Sequence, residues 1–507
     1  MRRFFKTVAL VSVFSTCEKF LGFLYRIFLS HSIGAEGIGL YQVALSVFGL
    51  VYTFCSSGVP VTVSRLITKD YAQKNTKNVG KVISSGLFLS IAISLPTCIV
   101  FYIFRNSFSF LFADSRSLTI FLSILPSLVF TCVYSVLRGV FWGKKDFLPC
   151  SIIDLLEEIC MIVVGILLIS FSSSVYQGAF SAGIAVLVSY IFSFTLAVVV
   201  FFVRKNRLSS PFPQLKPLVK SSTPITVMRT LGTLTFSLIS IILPQKLIES
   251  GLSKSQAMTE FGATLGQAFP ILSIPTTIIG SFILVLIPEI SQNYYAKNNY
   301  YLKRDIEKGI KLTTVLTLIF TPVFLVCGEE IGIVLFGEYL CGKYIKISSF
   351  LMLFMGLSSI STSILNSMGL ENKTLIFSII TGFLLLASIW ILPQYVGIYS
   401  VIVGFTLVYV VTTILNLRLL GKYSPLKLKY KKFVFVGVLT VIPSVFFGLM
   451  VEKLLLHVLG TFFTLICCTL LIVAFNVLMF FSFSLISFKG FKQKIKKIFA
   501  NKNSALS

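Results

Sequence analysis

Charge is scarce in this sequence, and acidic charge is scarcer still. Only 12% of the 507 residues are Asp, Glu, Lys or Arg, and 18 acidic residues stand against 44 basic ones. A soluble chain carries about a quarter charged residues, so a protein wetted over most of its surface is excluded. Long polar stretches are missing too. The connections between apolar segments are too short for a catalytic domain on either side, so any chemistry takes place in or between helices. Histidine occurs twice, at His31 and His457, far apart and without a ligand cluster, which argues against a metal site. The ten cysteines lie mostly within apolar segments and show no C-x-x-C spacing. They read as small buried hydrophobes rather than a disulfide framework, and no cofactor is expected.

What remains is hydrocarbon. Hydrophobic residues make up 56% of the chain, with a mean hydropathy of +0.93. A helix needs about 20 apolar residues to cross a bilayer. Hydropathy predicts spans at 8–29, 40–66, 82–104, 118–142, 151–172, 179–203, 224–247, 263–290, 312–327, 345–368, 374–392, 396–420, 433–455 and 460–487. The expected fold class is all-α, a polytopic membrane protein of about fourteen helices. The opening MRRFFK has the look of a signal peptide. Glu18, Lys19 and Arg26 interrupt the run that follows, however, and no A-x-A site appears, so it reads as the first membrane helix.

A formal charge of +26 suggests nucleic acid until its placement is examined. The N-terminus, the even-numbered connections and the C-terminus hold 31 of the 44 Lys and Arg residues. The odd-numbered connections hold, within them or at their edge, only Arg105, Arg116, Lys254, Lys343 and Lys453. This asymmetry places both termini in the cytoplasm and makes the charge a matter of topology, with no nucleic-acid partner. The terminal run KGFKQKIKKIFANK is expected to lie on an anionic inner leaflet.

The longest linkers, 204–223, 291–311 and 421–432, divide the chain into a six-helix lobe (1–210), a second six-helix lobe (211–425), and a final pair with a basic tail (426–507). YAQKN at Tyr71–Asn75 and YAKNN at Tyr295–Asn299 each follow the second span of a lobe, as parallel repeats would. Span eight carries Pro270, Pro275 and Gly280 and is expected to bend.

Charges inside the spans mark the candidate site, because each costs about 2.5–3.5 kcal/mol on insertion scales. Lys19 and Arg26 share one face of the first helix about 10 Å apart, with Gly22 between them, a spacing that suits a long anionic ligand. Glu18 is a possible counter-charge. Arg138 and Glu157 enter the membrane at similar depth on adjacent helices, either as an ion pair or as substrate contacts, and Glu158 is an alternative to Glu157. Arg229 opens the second lobe as Arg26 opens the first, and the two are expected to face each other across a central cleft. Arg65, Glu289, Arg418 and Asp154 lie near span ends and read as snorkelling.

Three stretches of the first half, KFLGFLYRIFLSHSIGAEGIGLYQ (Lys19–Gln42), GVPVTVSRL (Gly58–Leu66) and RGVFWGKKDFLP (Arg138–Pro149), carry a resemblance. TPITVMR (Thr223–Arg229), FGATLGQAFPILSIPTTIIGSF (Phe261–Phe282) and LIPEIS (Leu286–Ser291) continue it. Together the sequence resembles the stage V sporulation protein B group, in the polysaccharide-transport branch of the multidrug/oligosaccharidyl-lipid/polysaccharide (MOP) exporter superfamily. The resemblance implies a fourteen-helix flippase in the cytoplasmic membrane with two six-helix lobes and a cationic cavity; separately, the protein is expected to act as a monomer. Its cargo would be an undecaprenyl-diphosphate-linked glycan, such as a peptidoglycan precursor in a spore-forming cell. By motif position Arg26, Arg138 and Arg229 would line or edge the cavity. Relatives often place Arg four residues after an acid in the fifth helix, but here Glu157 is followed by Met161. The rival expectations are a cation-coupled drug exporter on the same fold, which favours an acidic cavity, and a membrane-embedded enzyme, which needs paired carboxylates beside a large external loop.

Overall fold

The computed structural model describes residues 2–73, 76–424, 430–456 and 460–483; the basic C-terminal run, Lys429 and His457 lie outside them. Every regular element among the described residues is helical, as hydrocarbon requires of a backbone that must satisfy its own hydrogen bonds. Contacts gather the chain into two units, Met1–Gly266 with Ile389–Ile398, and Gln267–Ser388 with Tyr399–Ser507.

The first unit opens with α1 (Arg2–Ser56), α2 (Val59–Ala72), α3 (Thr76–Ile103), α4 (Ser115–Ile124) and α5 (Ser127–Gly143). There follow α6 (Leu148–Ser170), α7 (Val175–Val203), α8 (Phe212–Glu249) and α9 (Lys254–Phe261), which leads into a π-helical turn, Gly262–Ala268. In the second unit come α10 (Phe269–Leu272), α11 (Ile274–Tyr295), α12 (Asn299–Val326), α13 (Gly328–Phe336), α14 (Tyr339–Ser348), α15 (Leu351–Ser367) and most of α16 (Glu371–Ile391). The short α17 (Pro393–Val396) belongs with the first unit, and α18 (Tyr399–Tyr423), α19 (Lys431–Leu456) and α20 (Thr461–Ser482) complete the second.

Among the described residues, ten helical segments are long and apolar enough to cross a membrane, or twelve when each of two bent pairs counts as one crossing. Several predicted spans differ in detail. The first two merge within α1, whose only break is at Gly34. There φ is 63° and ψ −176°, a conformation that residues with a Cβ avoid. The predicted second span, 40–66, is divided at Ser57–Gly58 between α1 and α2. The fourth bends by 47° between α4 and α5, and the tenth by 58° between α14 and α15. Span eight is interrupted, as its prolines led us to expect. Its breaks fall at the π-helical turn and at Ser273, with prolines starting the helical pieces that follow.

In the first unit, α2 and α5 cross closely because Gly139 and Gly143, four residues apart, present bare backbone. A Cβ on Gly139 would lie 2.5 Å from the Pro60 carbonyl oxygen. Val63, Ile67, Val82, Leu137 and Val140 fill the seam around that crossing. In the second unit α11, α12 and α15 form the apolar core, while Phe480 of α20 and Leu420 of α18 join it. Asn476 donates to Ser444 at 3.0 Å between α20 and α19, and Asn416 donates to Thr362 at 2.8 Å between α18 and α15. Such bonds hold helices together where apolar contact alone gains little over lipid.

At one end of the first unit, Asp114 caps α4. The Arg116 backbone N–H donates to it at 2.8 Å, the Arg116 guanidinium pairs with it at 2.8 Å, and the same guanidinium reaches Glu36 of α1 at 2.8 Å. Burial raises the Asp114 carboxyl, but the Arg116 hydrogen bonds outweigh it and hold the group below its ordinary value. A carboxyl depressed in this way stabilises the fold above its unfolded pKa, and the contribution is lost as pH falls through the folded one. The thermal midpoint should therefore drop on acidification. Asp114→Asn should lower the neutral-pH midpoint and flatten the acid limb; an unchanged acid limb would show that the cap contributes nothing.

Candidate functional site

The site lies in the first unit, where the chain breaks at Ser57–Gly58. The break brings backbone against α8: the Gly58 N–H donates to Thr226 Oγ1 at 3.1 Å, and a Cβ on Gly58 would meet the Ser222 carbonyl oxygen at 2.3 Å. A cavity of about 470 Å³ opens beside this junction. Its walls are Tyr52 and Thr53 of α1, Ser57 of the break, Pro60 of α2, Ser135, Arg138 and Trp142 of α5, and Arg229, Gly232, Thr233 and Phe236 of α8.

Two guanidinium groups face this space. Arg138 pairs through one terminal nitrogen with Asp154 Oδ1 at 2.5 Å, and the Tyr134 hydroxyl donates to the same oxygen at 2.6 Å. The Arg138 guanidinium also lies over the Tyr134 ring, 4.8 Å from its centroid, which fixes its direction. Its Nε is buried and has no acceptor. Arg229 is exposed to the cavity and donates to the Ser57 carbonyl at 3.0 Å. A guanidinium offers five donors, so both arginines retain capacity for a ligand. Hydroxyls of Tyr52, Thr53, Ser57, Ser135 and Thr233 share the lining, and the Ser57 hydroxyl is buried without a partner. With one carboxylate against two guanidiniums, the lining is cationic and rich in donors. Such a lining is chemically suited to an oxyanion.

The remaining candidates are placed elsewhere. The expected Arg138–Glu157 pair is corrected: Arg138 pairs with Asp154, which had been read as an interfacial anchor. Arg138 lies five residues before the end of α5 and Asp154 six after the start of α6, so they meet at one depth. Glu157 is about 4.5 Å deeper, most of a helical turn; it lies within hydrogen-bond reach of Ser193 of α7. Arg26 does not line the cavity. It donates to the Gly266 carbonyl at 2.6 Å, across from α1 to the π-helical turn. Arg229 therefore shares its cavity with Arg138, not with Arg26. Glu18 is partly buried and Lys19 exposed on the same helix, and Glu158 Oε1 occupies the space beside Gly22, where a Cβ would meet it at 2.8 Å. Arg65 is engaged by Ser221 of α8. Asp154, Tyr134 and the hydroxyl lining escaped the sequence reading. The equal-depth rule applied to α5 and α6 is the one signal that would have found Asp154.

A family profile described as "Polysaccharide biosynthesis protein" matches residues 4–294. The chain belongs to that family. It is 24% identical over 451 residues to Stage V sporulation protein B of Bacillus subtilis (strain 168), covering 85% of this chain and 86% of that protein. It is 22% identical over 339 residues to Lipid II flippase MurJ of the same organism, covering 60% of each. Among solved structures, Lipid II flippase MurJ in an inward closed conformation superposes with a TM-score of 0.73 at 15% identity, covering 94% of this chain and all of that one. An inward-facing multidrug resistance MATE family transporter of the MOP superfamily gives 0.67 at 15% identity, covering 80% and 95%. The protein is thus an all-α, multi-pass membrane protein of that family, and the matched proteins named for transport are Lipid II flippase MurJ and the MATE transporters.

Proposed function

We propose that the protein moves a lipid-linked oligosaccharide, carried on undecaprenyl diphosphate, from the inner to the outer leaflet of the cytoplasmic membrane by alternating access. The observation that carries this reading is the pairing of Arg138 and Arg229 in one hydroxyl-lined cavity. A diphosphate presents oxygens that forked donors match in pairs, and arginine stays ionised throughout. The similarity to Stage V sporulation protein B and to Lipid II flippase MurJ favours a peptidoglycan precursor, in cortex or cell-wall synthesis. Arg26, Lys19, Glu18 and Glu157 would act along the route rather than at the headgroup. A cation-coupled drug exporter remains the second reading, because MATE transporters share the fold; the cationic lining argues against it. Reconstituted in liposomes, the protein should move lipid-diphosphate glycans between leaflets and leave cationic drugs untransported. Drug uptake without glycan movement would overturn the proposal.

The architecture that suits this function has fourteen crossings. They follow if Val13–Tyr71 (59 residues) crosses twice, each bent pair once, and α6 once in spite of Asp154, Glu157 and Glu158. The two lobes and the outer helix pair, acting as a monomer with both termini in the cytoplasm, belong to the same proposal. The repeat is supported by matching positions: Tyr71–Gln73 of the first copy end α2 ahead of α3, and Tyr295–Asn298 of the second end α11 ahead of α12. Cysteine labelling in intact cells should find position 303 protected and positions 174 and 394 reactive. External labelling at 303 would require an odd number of crossings before it, and the two-lobe scheme would fail.

A further inference from the structure

Two packed helices of the first unit, α5 and α7, end in the same kind of turn. One closes in Gly143-Lys144-Lys145-Asp146 and the other in Val203-Arg204-Lys205-Asn206. The two turns brace one another. The Lys144 ammonium donates to Asn206 Oδ1, and Arg204 pairs with Asp146 at 3.3 Å. Asn206 is buried, and its Nδ2 donates to the Phe201 carbonyl at 2.8 Å, so the brace is anchored in α7. The linker that follows is pinned as well. The Ser209 N–H donates to Ser84 Oγ of α3 at 2.9 Å, and a Cβ on Gly80 would lie 3.0 Å from the Arg207 carbonyl oxygen.

Lys144 and Arg204 are engaged in these contacts. Lys145, Lys205 and Arg207 are exposed and form no ion pair among the described residues. Asp146, the one acid in the two turns, is already paired. Asp70 of α2 is near, since Thr68 donates to the Gly143 carbonyl at 3.1 Å, but it is buried and accepts from Asn78 at 3.0 Å. Lys145 and Lys205 have φ of 62° and 52°, the left-handed conformation that closes a helix. Glycine adopts it freely, and a residue with a Cβ at a cost. A cation near a helix C-terminus gains from the helix dipole, but Lys144 and Arg204 already supply that. Neither backbone geometry nor the dipole accounts for the two further lysines. Depth identifies their partner. The apolar segments that precede the turns end at Gly143 and Val203, so both turns lie where hydrocarbon gives way to water. Phe202, Val203 and Leu208 are exposed beside the cations. Unpaired cations next to exposed apolar side chains at that depth match a lipid with an anionic phosphate headgroup.

We propose that Lys145, Lys205 and Arg207 form a binding site for the headgroup of an anionic phospholipid of the surrounding bilayer, with Phe202 and Leu208 against its chains. The brace and the linker contacts fix the backbone that carries the three cations, so little ordering is needed when the headgroup docks. The site shares no residue with the Arg138–Arg229 cavity. It does not depend on which molecule is transported, and it stands or falls separately from the flippase reading.

The thermal midpoint of the purified full chain in a neutral detergent, titrated with phosphatidylglycerol or with phosphatidylcholine, tests it. Phosphatidylglycerol should raise the wild-type midpoint, less so at high salt, and phosphatidylcholine should not. Lys145→Gly combined with Lys205→Gly and Arg207→Gln should weaken the apparent affinity for phosphatidylglycerol about ten-fold or more. Glycine suits both left-handed turns, so the midpoint without lipid should not fall, and misfolding does not mimic loss of the site. A control, Lys308→Gln with Lys431→Gln and Lys432→Gln, removes the same charge from exposed positions of the second unit and should leave the response intact. An equal loss in the control overturns the proposal, because the attraction then follows net charge. So does a wild-type response shared by phosphatidylcholine, or one given only by farnesyl diphosphate, which would assign the three cations to the transported lipid. Native mass spectrometry covers a triple variant that folds poorly. The single variants Lys145→Gly and Lys205→Gly should each retain fewer phosphatidylglycerol molecules than wild type, and unchanged retention in both also overturns the proposal.

Discussion

Arg229→Ala and Arg138→Ala should each weaken binding of a lipid diphosphate about ten- to a hundred-fold, while the protein still inserts. A hydrogen bond to a charged partner contributes about 1.5–3 kcal/mol, and about 1.4 kcal/mol is a factor of ten in affinity. Both side chains face one cavity with donors to spare, so each variant removes contacts that no neighbour replaces. The Lys variants discriminate further. Lysine restores the charge but not the planar fork, so Arg229→Lys should recover only part of the loss. Arg26→Ala should behave differently, because Arg26 bonds the Gly266 carbonyl and does not line the cavity. Its expected effect is on the anchoring of α1 to the π-helical turn, seen as a lowered thermal midpoint. Binding to a labelled lipid diphosphate, measured on variants matched for surface expression, checks all of these. Wild-type binding by both Arg138→Ala and Arg229→Ala would remove the cavity from the mechanism.

The second large effect is expected at the ion pair behind that cavity. Asp154→Asn should destabilise the protein by about 2 kcal/mol, since it strands a guanidinium whose Nε already lacks an acceptor. The side chains of Arg138 and Asp154 are 31% and 22% exposed, so the cost falls below the 3–5 kcal/mol typical of a fully buried pair. Replacing both, as Arg138→Met with Asp154→Asn, should restore much of the folded yield, because no unpaired charge remains. Transport should not return with it, for the double variant has lost a cavity cation. Thermal unfolding and leaflet-movement assays on the three variants separate the two roles. If Arg138→Met with Asp154→Asn is as unstable as Asp154→Asn alone, the pair does not hold α5 to α6.

The membrane class, the helical backbone and the approximate position of each apolar segment were legible in the residues because their cause is local. Hydrocarbon admits few charges and no unsatisfied backbone, so any crossing must appear as a run of apolar helix. The uneven distribution of lysine and arginine between alternate connections is likewise a property of the chain. Breaks were harder. Proline announced the interruption of span eight, but nothing in Ser57–Gly58 alone indicates that α1 stops there, because that break depends on how closely α8 approaches.

Side-chain partners were decided by tertiary structure. Sequence placed Arg138 beside the acids of α6, yet its partner is Asp154 and not Glu157, because one helical turn shifts depth by about 5.4 Å and a salt bridge tolerates far less. Arg229 meets Arg138 rather than Arg26 for a similar reason: Arg26 lies 31 residues from Ser57 on α1, beyond the bend at Gly34. Contact between helices depends on azimuth and depth together, and neither is set until the helices are docked.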